Sequence, residues 1–443
     1  MHLVIKKIVH DNFFFLLMIT IASCIIRVLF FLAFTQHNDN AWLFIDSQQY
    51  LLIAKNILAH KGYCLHSSVP TYYRLPGYPL FLVAGFTLFS NSLFATLLLQ
   101  VFLASFIPVG IFLLSCVLFP QTMAYARCAA LVATVYAGFI IYAGIIDTES
   151  LCLLFLLLFF ILFFYALDHV NRVKLLFLSG IFLGLASLVR PIGHYILVLA
   201  LIYVVVGQTA LKSSLSLFIG WLIPVSPWLI RNFLLTGALF FHSLPGVHFL
   251  QFTAAPVVAS VSSVSYVQAR AQLFNELESK KVVNDYQKCR KAEQLACDYV
   301  RKYPKQALIH SSIQIFKTCA GLYATQIILT DTHEWPDYFR KPQSLWSKIK
   351  RYFVPQVKTK WLIPFIYWEI LLYPVILLGC LFCFVSAGWQ KNVLYMLGRT
   401  VPFASLLIVL TVAYGCARLR FSAEPFLIIW SSVGWQQILK KLF

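Results

Sequence analysis

The chain has 443 residues, 60% hydrophobic, 16% aromatic and 12% charged, with a formal net charge of +19. A mean hydropathy of +0.80 excludes an ordinary soluble domain and points to an all-α polytopic membrane protein, since helices satisfy their own backbone hydrogen bonds in lipid. In that setting the excess of Lys and Arg fits basic cytoplasmic loops and attraction to anionic headgroups and phosphates, and nucleic acid is not an expected partner.

Lys6 and Lys7 precede an apolar run from Phe13 to Phe34. It is longer than a signal-peptide core and reads as a retained first helix with its basic end in the cytoplasm. About ten membrane helices (range about 9–12) are expected from apolar length. They fall near 13–35, 93–118, 126–146, 150–167, 175–189, 195–210, 214–230, 361–386, 400–416 and 425–439. The layout is a transmembrane catalytic core at 1–230 with a first outer loop at 36–92, a polar outer insert at 231–360, and C-terminal membrane helices at 361–443.

The stretch 76–92 is apolar but short and opens with Pro76 and Pro79, so an interfacial or re-entrant helix is expected there. If it does not span, Arg127, Arg172, Lys174 and Lys212 share the side of Lys6 and Lys7, as the positive-inside rule requires. Gly180 and Gly184 form a G-x-x-x-G pair, read equally as a close-packing face or as ordinary tolerance of glycine in membrane helices. Cys380 and Cys383 form a C-x-x-C inside an apolar helix, where packing is the better reading than zinc or redox chemistry. In the insert, Leu273 with Leu277 and Leu295 with Tyr299 recur at helical spacing and predict small amphipathic helices outside the membrane. The basic stretch from Arg340 to Lys360 is expected outside; if 306–330 spans instead, it becomes cytoplasmic.

Counting spans puts Asp46, Arg74, Asp147, Glu149, Arg190 and Arg231, with Arg418 and Arg420, at helix ends on one face. Ionisable groups at a bilayer edge are costly and usually functional, so one polar site at the outer surface is expected. Asp46 has two readings of equal weight: a carboxylate that deprotonates an acceptor hydroxyl or holds a cation, or a helix N-cap. Arg74, between Tyr73 and Leu75-Pro76-Gly77-Tyr78, suits bidentate phosphate binding, or serves as an interfacial anchor. Asp147 and Glu149 flank Thr148; they read as cap and first-turn acid, or as part of the polar site. Asp46 with Glu149 leaves a divalent cation open as a cofactor. Arg190-Pro191 and Arg231-Asn232 close two further helices, and with Arg74 they make a three-arginine cradle for a phosphate. Arg27 either snorkels or pairs with an acid. His37, His66, His242, His248, His310 and His333 are scattered through outer loops. No nucleophile motif, glycine-rich phosphate loop or metal-spaced cluster is present in the sequence, so covalent catalysis and obligatory zinc are not expected.

These pieces, in this order, resemble the GT-C type membrane glycosyltransferases that use lipid-linked sugars. The nearest branch holds the dolichyl-phosphate-mannose protein mannosyltransferases and the aminoarabinose transferases of lipid A. The resemblance runs through Asp46 with Tyr50 and Ala54, Arg74-Leu75-Pro76-Gly77-Tyr78-Pro79, Gln100, Thr148-Glu149, Gly184-Leu185-Ala186 to Arg190-Pro191, Pro227-Trp228-Leu229-Ile230-Arg231-Asn232, and Arg418-Leu419-Arg420-Phe421 before Pro425. It implies transfer of a sugar from a polyprenyl phosphate to a lipid, glycan or protein acceptor, with inversion, at the outer face of a bacterial inner membrane. It further implies Asp46 as the catalytic carboxylate and Arg74 beside the donor phosphate. The chain departs from the family pattern in having Leu75-Pro76 where two prolines are usual, and in its short outer domain. The rival readings are a transporter or flippase of lipid-linked sugars and a polysaccharide polymerase or ligase. Transporters carry repeats and midplane charges on broken helices, whereas here the charges are expected at span ends.

Overall fold

A computed structural model describes residues 8, 10–36, 46–65, 69–120, 122–169, 172–207, 211–279, 284–325, 327–328, 357–410 and 415–442. Lys6, Lys7, His37, His66, His333 and the basic stretch from Arg340 to Lys360, apart from residues 357–360, lie outside these residues. The first half is built from α1 (Phe13–Gln36), α2 (Ser47–Leu58), α3 (Gly77–Leu88), α4 (Leu93–Ala104), α5 (Ile107–Leu118), α6 (Met123–Thr134), α7 (Ala137–Ile141), α8 (Glu149–Leu167), α9 (Arg172–Val189), α10 (Ile192–Val206) and α11 (Leu211–Thr236). Then come α12 (Pro245–Phe249), a π-helical turn (Leu250–Ala254), α13 (Ala255–Ser262), α14 (Tyr266–Glu278), α15 (Asp285–Lys302) and α16 (Pro304–Ala320). The chain closes with α17 (Leu362–Ser386), α18 (Lys391–Val409), the short α19 (Ala417–Arg420), a 3-10 turn (Phe421–Ala423) and α20 (Glu424–Leu442). Among the described residues there is no strand, only an isolated bridge between Cys64 and Pro70.

Among the described residues, seven helices are long and apolar enough to cross a membrane: α1, α4 with α5, α8, α9, α11, α17 and α18. An eighth is possible only if the pair Pro245–Ser262 and Tyr266–Glu278, bent by 116°, counts as one broken span. The 24 residues of α1 extend about 36 Å, enough for a hydrocarbon core of about 30 Å. Four expected spans differ. The helix expected at 126–146 is broken after Thr134, and residues 142–148 are irregular, freeing a loop for the site. The span expected at 195–210 is α10, of 15 residues. The last, α20, ends in Lys440 and Lys441 and falls outside the set that passes on length and apolarity. The span expected at 400–416 begins instead at Lys391, which carries Arg399 into a helix rather than a loop. The expected short helix at 76–92 is α3, whose 12 residues reach only about 18 Å.

One large apolar core runs through the membrane helices, and a second unites α12 to α15 through Leu273, Leu277 and Leu295 with Tyr299 against them. The G-x-x-x-G pair is a packing face: a side chain at Gly180 would meet the Leu217 carbonyl, and one at Gly184 would meet Pro224 and Trp221, both on α11. Cys380 and Cys383 are free and buried, with the Cys380 thiol directed at the Leu427 carbonyl. Arg27 is fully buried and donates to the carbonyls of Ala133 and Thr134, which α6 leaves open where it ends. Because α8 starts at Glu149 and α9 ends beside Arg190, the two pack antiparallel with their other termini at the opposite end. There Asp168 pairs with Arg399 at 2.5 Å.

Candidate functional site

Five segments meet at one end of the helix bundle: the start of α2, the loop before α3, the loop before α8, the end of α9, and α19. Asp46 is the N-cap residue of α2, yet its side chain makes no capping bond. Its carboxylate instead accepts from Arg74 at 2.5 Å and from Arg418 at 3.3 Å. The capping reading therefore fails for this side chain. Ser47 donates to the Ile146 carbonyl at 2.7 Å, tying α2 to the irregular loop opened by the break after α6. Thr148, N-cap of α8, also makes no side-chain cap.

Arg418 is the hub. Its Nε donates to Glu149 at 2.6 Å, and its terminal nitrogens reach Asp147 at 2.7 Å and Asp46 at 3.3 Å. Arg190 pairs with Glu149 and donates to the Thr148 hydroxyl at 3.3 Å. Arg74 donates its Nε to Gln49 at 2.7 Å and lies over the rings of Tyr50 and Tyr73. Three guanidiniums thus face three carboxylates, and a guanidinium carries more N–H donors than these contacts use. Asp147 and Glu149 side chains are 0% exposed, whereas Asp46 is 28% exposed. Asp46 is the acid of the three that an incoming molecule can reach.

Electrostatics separate two of these acids. Burial acts to raise the Asp46 carboxyl, but Arg418 and Arg74 prevail and hold it below the ordinary carboxylate range. For Asp147, burial pushes the carboxyl well up; Arg418 pulls the other way and Glu149 adds to the rise. An opposite charge nearby favours the ionised form and low dielectric disfavours it. Burial likewise holds His242 down at about 3, a neutral ring rather than a cation for the site.

The remaining candidates hold up the site from outside. Tyr78 donates to Gln100 at 2.7 Å, and Gln100 donates to the carbonyls of Ala143 and Ile145, fixing the loop that presents Asp147. Tyr50 packs edge-on against Tyr78. Arg231 makes no contact with the three acids among the described residues. It donates to the carbonyls of Tyr63 and Thr71 at 3.4 and 3.2 Å and lies over Trp228, so it clamps the loop leading to Arg74. Asn232 donates to the carbonyls of Phe240 and Phe241. Arg420 points away from the site. Fully buried, it pairs with Glu424 at 2.6 Å and donates to the Thr318 and Gly321 carbonyls. Tyr323 donates to Glu424, and Glu369 accepts from the backbone N–H groups of Tyr323 and Ala324. That second cluster anchors α19 and so aims Arg418. Gln49 was not singled out by sequence reading. Its signal was position, since i and i+3 share a helix face. Among the described residues no three His, Cys, Asp or Glu side chains converge as metal ligands; the arginines stand between the acids.

Residues 69–230 match the family described as dolichyl-phosphate-mannose-protein mannosyltransferase, a stretch that includes Arg74, Asp147, Glu149 and Arg190. No curated protein matches the sequence. The chain is similar in fold to the Archaeoglobus fulgidus oligosaccharyltransferase in its apo form, at 15% identity and a TM-score of 0.51, covering 96% of this chain and 51% of that one. It is likewise similar to the archaeal oligosaccharyltransferase AglB from Archaeoglobus fulgidus in complex with an inhibitory peptide and a dolichol-phosphate, at 12% identity and 0.50, covering 97% and 51%. It thus spans about half the length of those proteins. ArnT from Cupriavidus metallidurans bound to undecaprenyl phosphate aligns at 12% identity and a TM-score of 0.43, covering 94% and 77%. The family match thus covers residues 69–230, and the likeness to the solved oligosaccharyltransferases is one of fold.

Proposed function

We propose that this chain moves a sugar from a polyprenyl-phosphate donor to an acceptor, with inversion, at the outer face of a bacterial inner membrane. The observation that carries the reading is Arg418 shared among Asp46, Asp147 and Glu149, with Arg74 and Arg190 beside it. A lipid phosphate stays at headgroup level, so it needs fixed cations at a helix-bundle end, and preorganised positive charge stabilises it as the glycosidic bond breaks. Arg418, Arg74 and Arg190 are the proposed phosphate ligands, and Arg231 acts through the loop it clamps. Asp46 is the proposed general base, taking the acceptor hydroxyl's proton as that oxygen attacks the anomeric carbon and the polyprenyl phosphate leaves with the bonding electrons.

Donor binding would then switch the base on. A phosphate drawing Arg74 and Arg418 toward itself relieves Asp46 of the charges that depress its proton affinity, and a stronger base results. General-base assistance of this kind is worth about 100- to 10,000-fold, and inversion needs no second catalytic carboxyl. In this reading the core at 1–230 holds the site, the insert at 231–360 faces the acceptor, and the segment 361–443 completes the cluster by delivering Arg418. ArnT and AglB are named with undecaprenyl phosphate and dolichol-phosphate bound, a carrier chemistry that such a cluster suits. The test is Asp46→Asn: normal membrane accumulation with transfer reduced at least about 100-fold supports the role, and undiminished transfer removes Asp46 from the mechanism.

A further inference from the structure

Beside the arginine cluster lies a cleft of about 190 Å³ whose lining includes Tyr73, Ser243, Arg270, Phe274, Asp285 and Lys288. Tyr73 is the shared wall: its ring lies 5.3 Å from the Arg74 guanidinium carbon and also lines the cleft. The cleft therefore opens next to Asp46 and Arg74, on the side of the insert. Next to the lining residue Val247 lies a close backbone approach. Gly246 on α12 leaves no room for a side chain against the Cys289 carbonyl, and its N–H is directed at the Cys289 sulfur at 3.3 Å. That contact presses the first turn of α15, with Asp285 and Lys288, against the segment carrying Ser243.

The lining chemistry is lopsided. Among the described residues neither Arg270 nor Lys288 has a carboxylate within ion-pair distance; Arg270 lies over the Phe274 ring at 5.5 Å. Asp285 is turned toward the Thr71 hydroxyl at 3.3 Å. Ser243 is 1% exposed, and its hydroxyl has no hydrogen-bond partner among the described residues. A buried hydroxyl without a partner is costly, and its usual explanation is a missing ligand or water. Two unpaired cations, a buried hydroxyl, one acid and two aromatic faces in a small concave site match a sugar ring bearing an anionic substituent. The cations take the charge, the aromatic faces take the ring's C–H side, and Ser243 and Asp285 take ring hydroxyls.

We infer that this cleft is the acceptor subsite and that it takes a saccharide end carrying a carboxylate or phosphate. The inference rests on the transfer reading above, because it needs an acceptor hydroxyl delivered to Asp46. Carboxylate and phosphate share the required chemistry, and separate probes distinguish them. Saturation-transfer NMR on the purified full-length protein in detergent, with glucuronic acid, glucose 6-phosphate and neutral glucose as probes, reads binding without needing turnover. At least one acidic probe should bind about tenfold or more tightly than glucose. R270A/K288A should abolish that preference, while Asp46→Asn should keep it. Equal binding of glucose, or an undiminished preference in the double variant, overturns the inference, and the probe order in the wild type answers even where the variant fails to fold. Vesicles of phosphatidylglycerol that compete where saccharides do not would make the cleft a lipid-headgroup site and equally overturn it. Loss of transfer in Asp46→Asn with binding retained separates this subsite from the transfer chemistry.

Discussion

Replacing Arg418 with alanine removes the group that three acids share, and the cost can be worked from their burial. In that variant Arg74 still pairs with Asp46 and Arg190 with Glu149, but Asp147, 0% exposed, loses the guanidinium 2.7 Å away. Truncating one partner of a buried pair costs about 3–5 kcal/mol, much of it the penalty of the charge left behind, and the already raised Asp147 carboxyl sheds part of that penalty by taking up a proton. Arg418 is itself 21% exposed, which argues for the lower end, about 3 kcal/mol. Adding Asp147→Asn removes the orphaned acid and leaves two intact pairs. The double variant should therefore recover about 1 kcal/mol or more, within the range of couplings between touching residues. Transfer should behave differently, falling about 100- to 1,000-fold in both variants, because the cation aimed at the leaving phosphate is gone from each. Arg418→Lys should sit between, since an ammonium keeps the charge but cannot span three acids. Denaturation of the detergent-solubilised protein reads the stability, and release of polyprenyl phosphate reads the transfer. Retained transfer in Arg418→Ala, or no recovery of stability on adding Asp147→Asn, would refute the reasoning.

Three further expectations follow from the same geometry. Arg74→Ala should raise the donor KM with little change in the acceptor KM, measured by steady-state transfer at varied polyprenyl-phosphate sugar; an unchanged donor dependence would exclude Arg74 from phosphate binding. The carboxyl of Asp46 is held below its ordinary range, so its pairing contributes stability that is fully present above the unfolded value of about 3.9 and is lost as pH falls through the lower folded value. The kcat/KM profile, which reports the donor-free protein, should accordingly show no acid limb from Asp46 between neutrality and about pH 5, and a limb in kcat/KM that Asp46 variants displace within that window would contradict the assignment. The carboxyl of Asp147 is raised, so the sign reverses: its contribution is present below about 3.9 and lost as pH rises through the folded value. Asp147→Asn in the wild-type background should then unfold less readily than the wild type on the alkaline side, as a pH series of melting curves would show.

The helical class and most of the bundle were legible because apolar length is a strong signal for a membrane span. Where the reading slipped, the cause was local. The run 126–146 looks continuous in hydropathy, but it breaks after Thr134 and yields the loop that carries Asp147 and leads into Glu149 at the start of α8. Asp46, Arg74, Glu149 and Arg190 could be grouped by counting helix ends. The role of Arg418 as hub could not, because it depends on α19, a four-residue turn whose aim is set by contacts distant in sequence. Arg418 and Arg420 look interchangeable on paper. One reaches the acids of the first half of the chain, and the other is locked to Glu424 and the carbonyls of Thr318 and Gly321 at the end of α16. Glu369 went unremarked, although a lone carboxylate inside an apolar helix is a visible mark of a buried polar partner.

The most direct measurement places the purified chain in proteoliposomes with a polyprenyl-phosphate-linked sugar and an acidic saccharide acceptor. The account predicts free polyprenyl phosphate released one-for-one with acceptor-bound sugar of opposite anomeric configuration. Lipid-linked sugar that crosses between leaflets intact, with no phosphate carrier released, would contradict it.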